Sequence, residues 1–281
     1  MDPRVANTSV DGRHGPIPVR VYTPSAAAAQ RRAPFVWIHG GGFVSGGLDQ
    51  PESHAVANAI AATGRTVVTV DYRLVPPFNH FRRPKPGPLP GVHFPVPLDD
   101  VTDAFNSVRA QSPTGAATLG GASAGACLSA ATALRLRDQR ASGPFRLVLA
   151  YGTFHAALPA PSPQLAARLR GRHGILRLRP GTVERMNRNY AGTPEAMTNP
   201  HAFPGGSDVE GLPPTLVLDA DRDSLRASGE AFAAELAAAH IPVEHHVIPG
   251  TIHGFLNRPN RPHFRTAIDI IVKYLTDNAA G

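Results

Sequence analysis

Apolar positions along the chain fall into two alternating patterns. Short apolar, β-rich runs occur at residues 19–22, 35–39, 66–71, 117–120, 146–151, 215–219 and 243–248. Longer runs with helical character lie among them, at 54–63, 98–111, 124–137, 225–240 and 263–277. Several short runs are almost continuously apolar, Thr66-Val67-Val68-Thr69-Val70 among them, which suits strands covered on both faces. This alternation predicts an α/β fold, with a mostly parallel central sheet, right-handed crossovers and helices on both faces. In such sheets the ligand crevice lies beyond the carboxyl ends of the strands, so functional residues are expected there.

Two stretches break the rhythm. Residues 76–97 are crowded with proline, carry Arg82, Arg83 and Lys85, and predict a long irregular loop. Residues 153–206 separate two predicted strands and hold short amphipathic runs at 163–170 and 182–190, which predict a small helical cap. With no internal repeat and no clean linker, residues 1–281 read as a single domain carrying those two insertions.

Composition narrows the class. A hydrophobic content of 42% over 281 residues is enough for a sizeable core. No run of about eighteen apolar residues appears, and Met1-Asp2-Pro3-Arg4 lacks an export signal's apolar core. A cytoplasmic protein without stable membrane insertion is therefore expected. The one cysteine, Cys127, excludes an internal disulfide and any multi-cysteine metal site, and is expected to pack as a small hydrophobe. The formal charge of +7 raises the question of nucleic acid, with a denser basic patch at Arg168, Arg170, Arg172, Arg177 and Arg179. No helix-turn-helix, zinc finger or RNA-binding aromatic motif accompanies it, so the patch reads as a solvated face and no nucleic-acid partner is expected.

The chemistry begins at Gly121-Ala122-Ser123-Ala124-Gly125, a G-x-S-x-G pattern between a predicted strand and a predicted helix. A turn that tight excludes bulk beside the serine and projects its hydroxyl clear of the backbone, as a nucleophile elbow requires. His39-Gly40-Gly41-Gly42-Phe43 follows another strand, and its glycines can aim backbone N–H groups at one point, which suits an oxyanion. A dinucleotide loop is excluded because Ser45 stands in the third glycine's place, and no Gly-Lys-Ser or Gly-Lys-Thr supports a phosphate loop. Of thirteen histidines, His253 lies on a glycine-flanked loop just past a strand and before the last helix, where it can reach the serine. His245 and His246 fall within the strand and read as structural. Asp219, Asp221 and Asp223 all lie at or beyond the end of one strand; position favours Asp223, with Asp221 the fallback, although Asp223 could equally be a helix N-terminal acid. The chain order serine, aspartate, histidine is that of α/β-hydrolases.

Taken in order, these motifs resemble the bacterial hormone-sensitive-lipase-like family of α/β-hydrolase esterases along nearly the whole chain. The resemblance also rests on Val70-Asp71-Tyr72-Arg73-Leu74, Leu212-Pro213-Pro214, Asp223-Ser224-Leu225-Arg226 and His253-Gly254-Phe255. It implies a Ser123, Asp223, His253 triad and an oxyanion hole from the backbone N–H groups of Gly41, Gly42 and Ala124. It further implies hydrolysis of short- to medium-chain esters of small molecules with no metal or organic cofactor. A homodimer is compatible with these residues.

The chain departs from that family in four places. Ala122 replaces the aspartate usual before the nucleophile, Ser224, Ala227 and Ser228 replace a proline and acidic residues, and Val75-Pro76-Pro77 opens the proline-rich insertion. The N-terminal cap helices of many relatives are expected to be missing or truncated, leaving a more open site. Two other readings use the same frame: an amide or N-acetyl deacetylase, and a ligand-binding receptor like the plant gibberellin receptors, which resemble this family but lack the catalytic histidine.

Overall fold

The apolar runs assemble into one eight-stranded sheet in a computed structural model that describes residues 2–25, 32–77, 87–170 and 178–276. The strands are β1 (Arg4–Val10), β2 (Ile17–Thr23), β3 (Phe35–Ile38), β4 (Val67–Val70), β5 (Thr118–Ala122), β6 (Leu147–Ala150), β7 (Thr215–Ala220) and β8 (Val243–Ile248). They lie in the order β1-β2-β4-β3-β5-β6-β7-β8. Every neighbouring pair from β4 to β8 is parallel, while β1 and β2 join antiparallel at one edge. The α/β expectation holds, and all residues of β3 through β7 are buried, as suits their mostly apolar sequences.

Among the described residues, seven helices accompany the sheet: α1 (Pro51–Ala61), α2 (Val96–Ala110), α3 (Ala124–Asp138), α4 (Pro163–Arg168), α5 (Pro180–Ala191), α6 (Arg226–Ala238) and α7 (Pro262–Thr276). Alternation along β3 shows how they divide. Val36 and Ile38 point into a core shared with Phe105 of α2, Leu128 of α3 and Phe232 of α6. Phe35 and Trp37 point into a second core with Ile60 of α1 and Ile271 of α7. In α7, Phe264, Ala267, Ile268, Ile271, Tyr274 and Leu275 recur every three or four residues and form its buried stripe. Each large side chain so buried contributes about 1.5–3 kcal/mol.

The sequence reading has no counterpart for β1. Arg4 through Ser9 are all exposed and show no apolar alternation, so the strand is held by backbone pairing to β2 alone of the sheet. α1 begins at Pro51, three residues ahead of the expected start at 54, and α2 begins at Val96, inside the proline-rich segment.

Between β6 and β7 stand α4 and α5. α5 is docked on the described part of the proline-rich segment: Asn189 Nδ2–H donates to Pro76 O (2.9 Å) and Phe94 N–H donates to Tyr190 O (2.9 Å). The Tyr190 ring also stacks on Phe43 at 3.9 Å. Arg82, Arg83, Lys85, Arg172 and Arg177 lie outside the described residues. Among the described residues, no helix is long and apolar enough to cross a membrane.

Candidate active site

β5 ends at Ala122 and α3 starts at Ala124, leaving Ser123 between them at φ 54° and ψ −116°. A side chain held at positive φ stores about 1–3 kcal/mol, so the surroundings must over-determine it. They do. Ser123 N–H donates to Ala150 O at 2.8 Å, and Ser123 O accepts from Ala126 N–H at 3.1 Å. A Cβ on Gly121 would stand 2.5 Å from the Gly125 backbone, and one on Gly125 would stand 2.3 Å from Ile38 O. The two glycines are therefore imposed by the crossing of the elbow over β3 rather than by composition.

The serine meets the expected partners. Ser123 Oγ lies 3.0 Å from His253 Nε2, and His253 Nδ1 lies 2.6 Å from Asp223 Oδ2. With the carboxylate accepting the Nδ1 proton, Nε2 is left to accept from the serine hydroxyl. Asp223 Oδ1 accepts from Leu225 N–H at 3.0 Å, so one carboxylate both orients the imidazole and terminates the turn before α6. The N-cap of α6 is Leu225, so Asp223 does not cap the helix; its second oxygen holds the turn that leads into it.

Burial works against a charged His253, but the Asp223 charge and hydrogen bond, helped by Glu52 and Asp219, outweigh it and raise the pKa above 6.5. A base must be neutral, so activity should rise as pH climbs through that raised value. The acid limb of kcat/KM is expected to have its midpoint above pH 6.5, and a pH–rate profile on the free enzyme reads it directly.

The other acids of the β7 end point elsewhere. Asp221 receives Arg168 Nε–H at 2.9 Å and Gly250 N–H at 3.0 Å, which ties α4 and the turn after β8 to this corner. The fallback acid is thus away from the imidazole, and one arginine of the basic patch is committed to an ion pair. Asp219 is fully buried beside His245 (2.8 Å); burial lifts its pKa to about 6, against the pull of that histidine. His246 lies on the half-exposed edge strand near Glu244. Cys127 is buried, and burial raises its thiol pKa far above the usual range.

The glycine loop follows β3. Gly41, Gly42 and Phe43 all adopt positive φ (116°, 61° and 67°), and a Cβ on Gly41 would collide with Ser45 O at 1.9 Å. Gly41 O accepts from Ser45 N–H (3.1 Å) and Ser45 Oγ–H (3.0 Å), so that carbonyl is turned back into the loop. Among the described residues, nothing accepts from the N–H of Gly41 or Gly42. Ala124 N–H opens α3, where no intrahelical acceptor exists. α5 covers this loop closely, since a Cβ on Gly42 would come within 3.0 Å of Met186 Sδ.

Two departures from the family pattern acquire contacts. Ser224 Oγ–H donates to Leu178 O, and Ser228 Oγ accepts from Phe154 N–H at 2.8 Å and lies 2.9 Å from His155 Nδ1. The substituted serines therefore fasten the start of the segment carrying α4 and α5 and the stretch just ahead of α5. Sequence reasoning missed a buried carboxylate, Glu52, beside the glycine loop. Its only signal was an acid behind Pro51, which reads as an ordinary first-turn acid of a helix. Among the described residues, no group of three or more His, Cys, Asp or Glu side chains could hold a metal ion.

Comparison with known proteins agrees with this geometry. Residues 35–83 and 88–257 match a family described as alpha/beta hydrolase fold. Esterase LipI of Mycobacterium tuberculosis is 32% identical over 266 residues, covering 90% of this chain and 75% of that protein. The ethyl acetate hydrolase of Pseudomonas putida is 31% identical over 265 residues, covering 90% of this chain and 76% of that one. An esterase structure from Pyrobaculum calidifontis superposes with a TM-score of 0.81 at 30% identity, over 99% of this chain and 87% of its own. The chain belongs to the α/β-hydrolase fold family, in its hormone-sensitive-lipase-like branch.

Proposed function

We propose that this protein is a serine carboxylesterase that hydrolyses small carboxylic esters through an acyl-enzyme on Ser123. The observation that carries the reading is the unbroken chain from Ser123 Oγ through His253 (3.0 Å) to Asp223 (2.6 Å). His253 Nε2 takes the hydroxyl proton as Oγ attacks the ester carbonyl. Asp223 keeps the imidazole in the tautomer that leaves Nε2 free and faces the positive charge that then develops. The N–H groups of Gly41, Gly42 and Ala124 receive the oxyanion, each donor worth about 3–4 kcal/mol in the transition state. His253 then passes its proton to the departing alkoxide, which leaves as the alcohol. A water deprotonated by the same nitrogen attacks the acyl carbonyl, and collapse of that second intermediate returns Ser123 and releases the carboxylic acid.

Short to medium acyl chains suit the close cover that Met186 places over Gly42. The name of one relative, an ethyl acetate hydrolase, supports the short end of that range. A cytoplasmic location belongs to this proposal, and the single cysteine suits a reducing compartment.

Matched p-nitrophenyl esters and p-nitroanilides of increasing acyl length test the reading. Ester turnover is expected to exceed amide turnover throughout and to fall for long acyl chains. Amide turnover above ester turnover would replace the esterase assignment with a deacetylase on the same residues.

A further inference from the structure

Glu52 is 2% exposed, and among the described residues no arginine, lysine or histidine pairs with it. A carboxylate buried in that way is costly unless hydrogen bonds replace its water. Four neutral donors do so. Gly40 N–H (2.7 Å) and Gln50 Nε2–H (2.9 Å) donate to Oε1; Tyr151 Oη–H (2.7 Å) and Asn257 Nδ2–H (2.9 Å) donate to Oε2. The Glu52 backbone is held as well, with its N–H donating to Asn257 Oδ1 (3.2 Å) and its carbonyl accepting from Trp37 Nε1–H (2.8 Å).

Three of those donors come from segments that border the triad. Gly40 is the root of the glycine loop, and a Cβ there would lie 2.5 Å from Glu52 Oε1 and 3.0 Å from Ser123 Cβ. Tyr151 sits at the end of β6 and sets its ring edgewise against His253, with centroids 5.1 Å apart at 73°. Burial first, and then the adjoining Glu52 charge, hold its phenol well above its usual pKa, so it remains a donor. Asn257 closes the 3-10 turn Phe255–Asn257, which is separated from His253 by one residue. An acid that merely complemented the α1 dipole would be stabilising by about 0.3–1 kcal/mol and could face water. Glu52 instead faces inward and binds residues from three other segments. The elbow supplies no carboxylate of its own, since Ala122 precedes the nucleophile.

We propose that Glu52 is a positioning residue of the hydrolytic site, anchoring the glycine loop, the Tyr151 ring and the His253 loop to one buried carboxylate. The claim rests on the esterase reading above. Its charge also favours the imidazolium on His253, together with Asp223, Asp219 and against burial, while Tyr151 faces the ring uncharged.

The test compares Glu52→Gln, Glu52→Asp and Tyr151→Phe with wild type on a short p-nitrophenyl ester, per folded chain as measured by circular dichroism melting. Glutamine keeps the shape but turns an NH₂ toward donors. It should lower kcat by about 10- to 100-fold, because loss of alignment acts on the transition state. KM should change by less than about threefold. Removing the negative charge should also move the acid limb of kcat/KM to lower pH, which a purely structural residue would not do. Aspartate, which keeps the charge on a shorter arm, should lower kcat and leave that limb in place. Tyr151→Phe should lower kcat by a smaller factor. Wild-type kcat and an unmoved limb in Glu52→Gln overturn the proposal; if that variant fails to fold, wild-type kcat in both other variants overturns it. The esterase reading fails separately, by ester hydrolysis that survives Ser123→Ala.

Discussion

Ser123→Ala should lower kcat for ester hydrolysis by about 10⁴- to 10⁶-fold and leave the fold intact. The size follows from what the hydroxyl does. It is the atom that forms the acyl bond, and among the described residues no other hydroxyl or thiol hydrogen-bonds His253, whose Nε2 is 3.0 Å from this Oγ. Cys127, the nearest chemical substitute in sequence, is buried with its Sγ directed at Ala202 O (3.4 Å). Alanine meets the same backbone demand at φ 54° as serine, and among the described residues Ser123 Oγ makes no hydrogen bond beyond the one to His253. The melting temperature should therefore change little. Residual activity should come from water attacking a substrate still held by the loop N–H groups. The measurement is kcat and KM on a p-nitrophenyl ester, with a fall smaller than tenfold counting against the mechanism.

Asp223→Asn should lower kcat by about 10⁴-fold, because an amide facing Nδ1 permits the tautomer that places the proton on Nε2, where it blocks the serine. It should also lower the pKa of His253, since the largest effect raising it is the Asp223 charge. The acid limb of any remaining activity would then move to lower pH. Asp221→Asn is the natural contrast, because the two acids are two residues apart. Asp221 lies near Arg168 (2.9 Å) and Arg226 (3.6 Å), with Arg226 and Asp221 both buried, so its loss should appear as a lower melting temperature. Kinetics and melting measured on both variants should show opposite patterns. Equal kinetic losses would mean that the imidazole takes its orientation from the corner as a whole rather than from Asp223.

How much of this was legible beforehand depended on whether a residue's task is local. The seven strands from β2 to β8 and the helices behind them follow from patterning, since strands covered on both faces admit mostly apolar residues. β1 escaped because an exposed edge strand bound by backbone pairing leaves no such pattern. The elbow and glycine loop could be read because backbone crowding forces their glycines: Gly125 against Ile38 O, and Gly41 against Ser45 O. Position at the carboxyl end of β7 favours Asp223 over Asp221 and Asp219 but leaves a helix N-terminal role open, because the path of the turn decides which side chain reaches His253. That turn is built by Asp221 with Gly250 and by Thr251 O with Arg222 N–H. Glu52 was hidden for the same reason in stronger form. Its four donors lie at positions 40, 50, 151 and 257, and only the folded sheet brings them together.

The central claim, that Ser123 is the nucleophile of an ester hydrolase, is tested most directly by titration with a p-nitrophenyl alkylphosphonate followed by peptide mass spectrometry. One p-nitrophenolate should be released per chain, the phosphonyl group should be found on the peptide bearing Ser123, and ester hydrolysis should vanish in proportion to labelling. Full ester hydrolysis by a chain labelled at Ser123, or inactivation with the label on another residue, would contradict it.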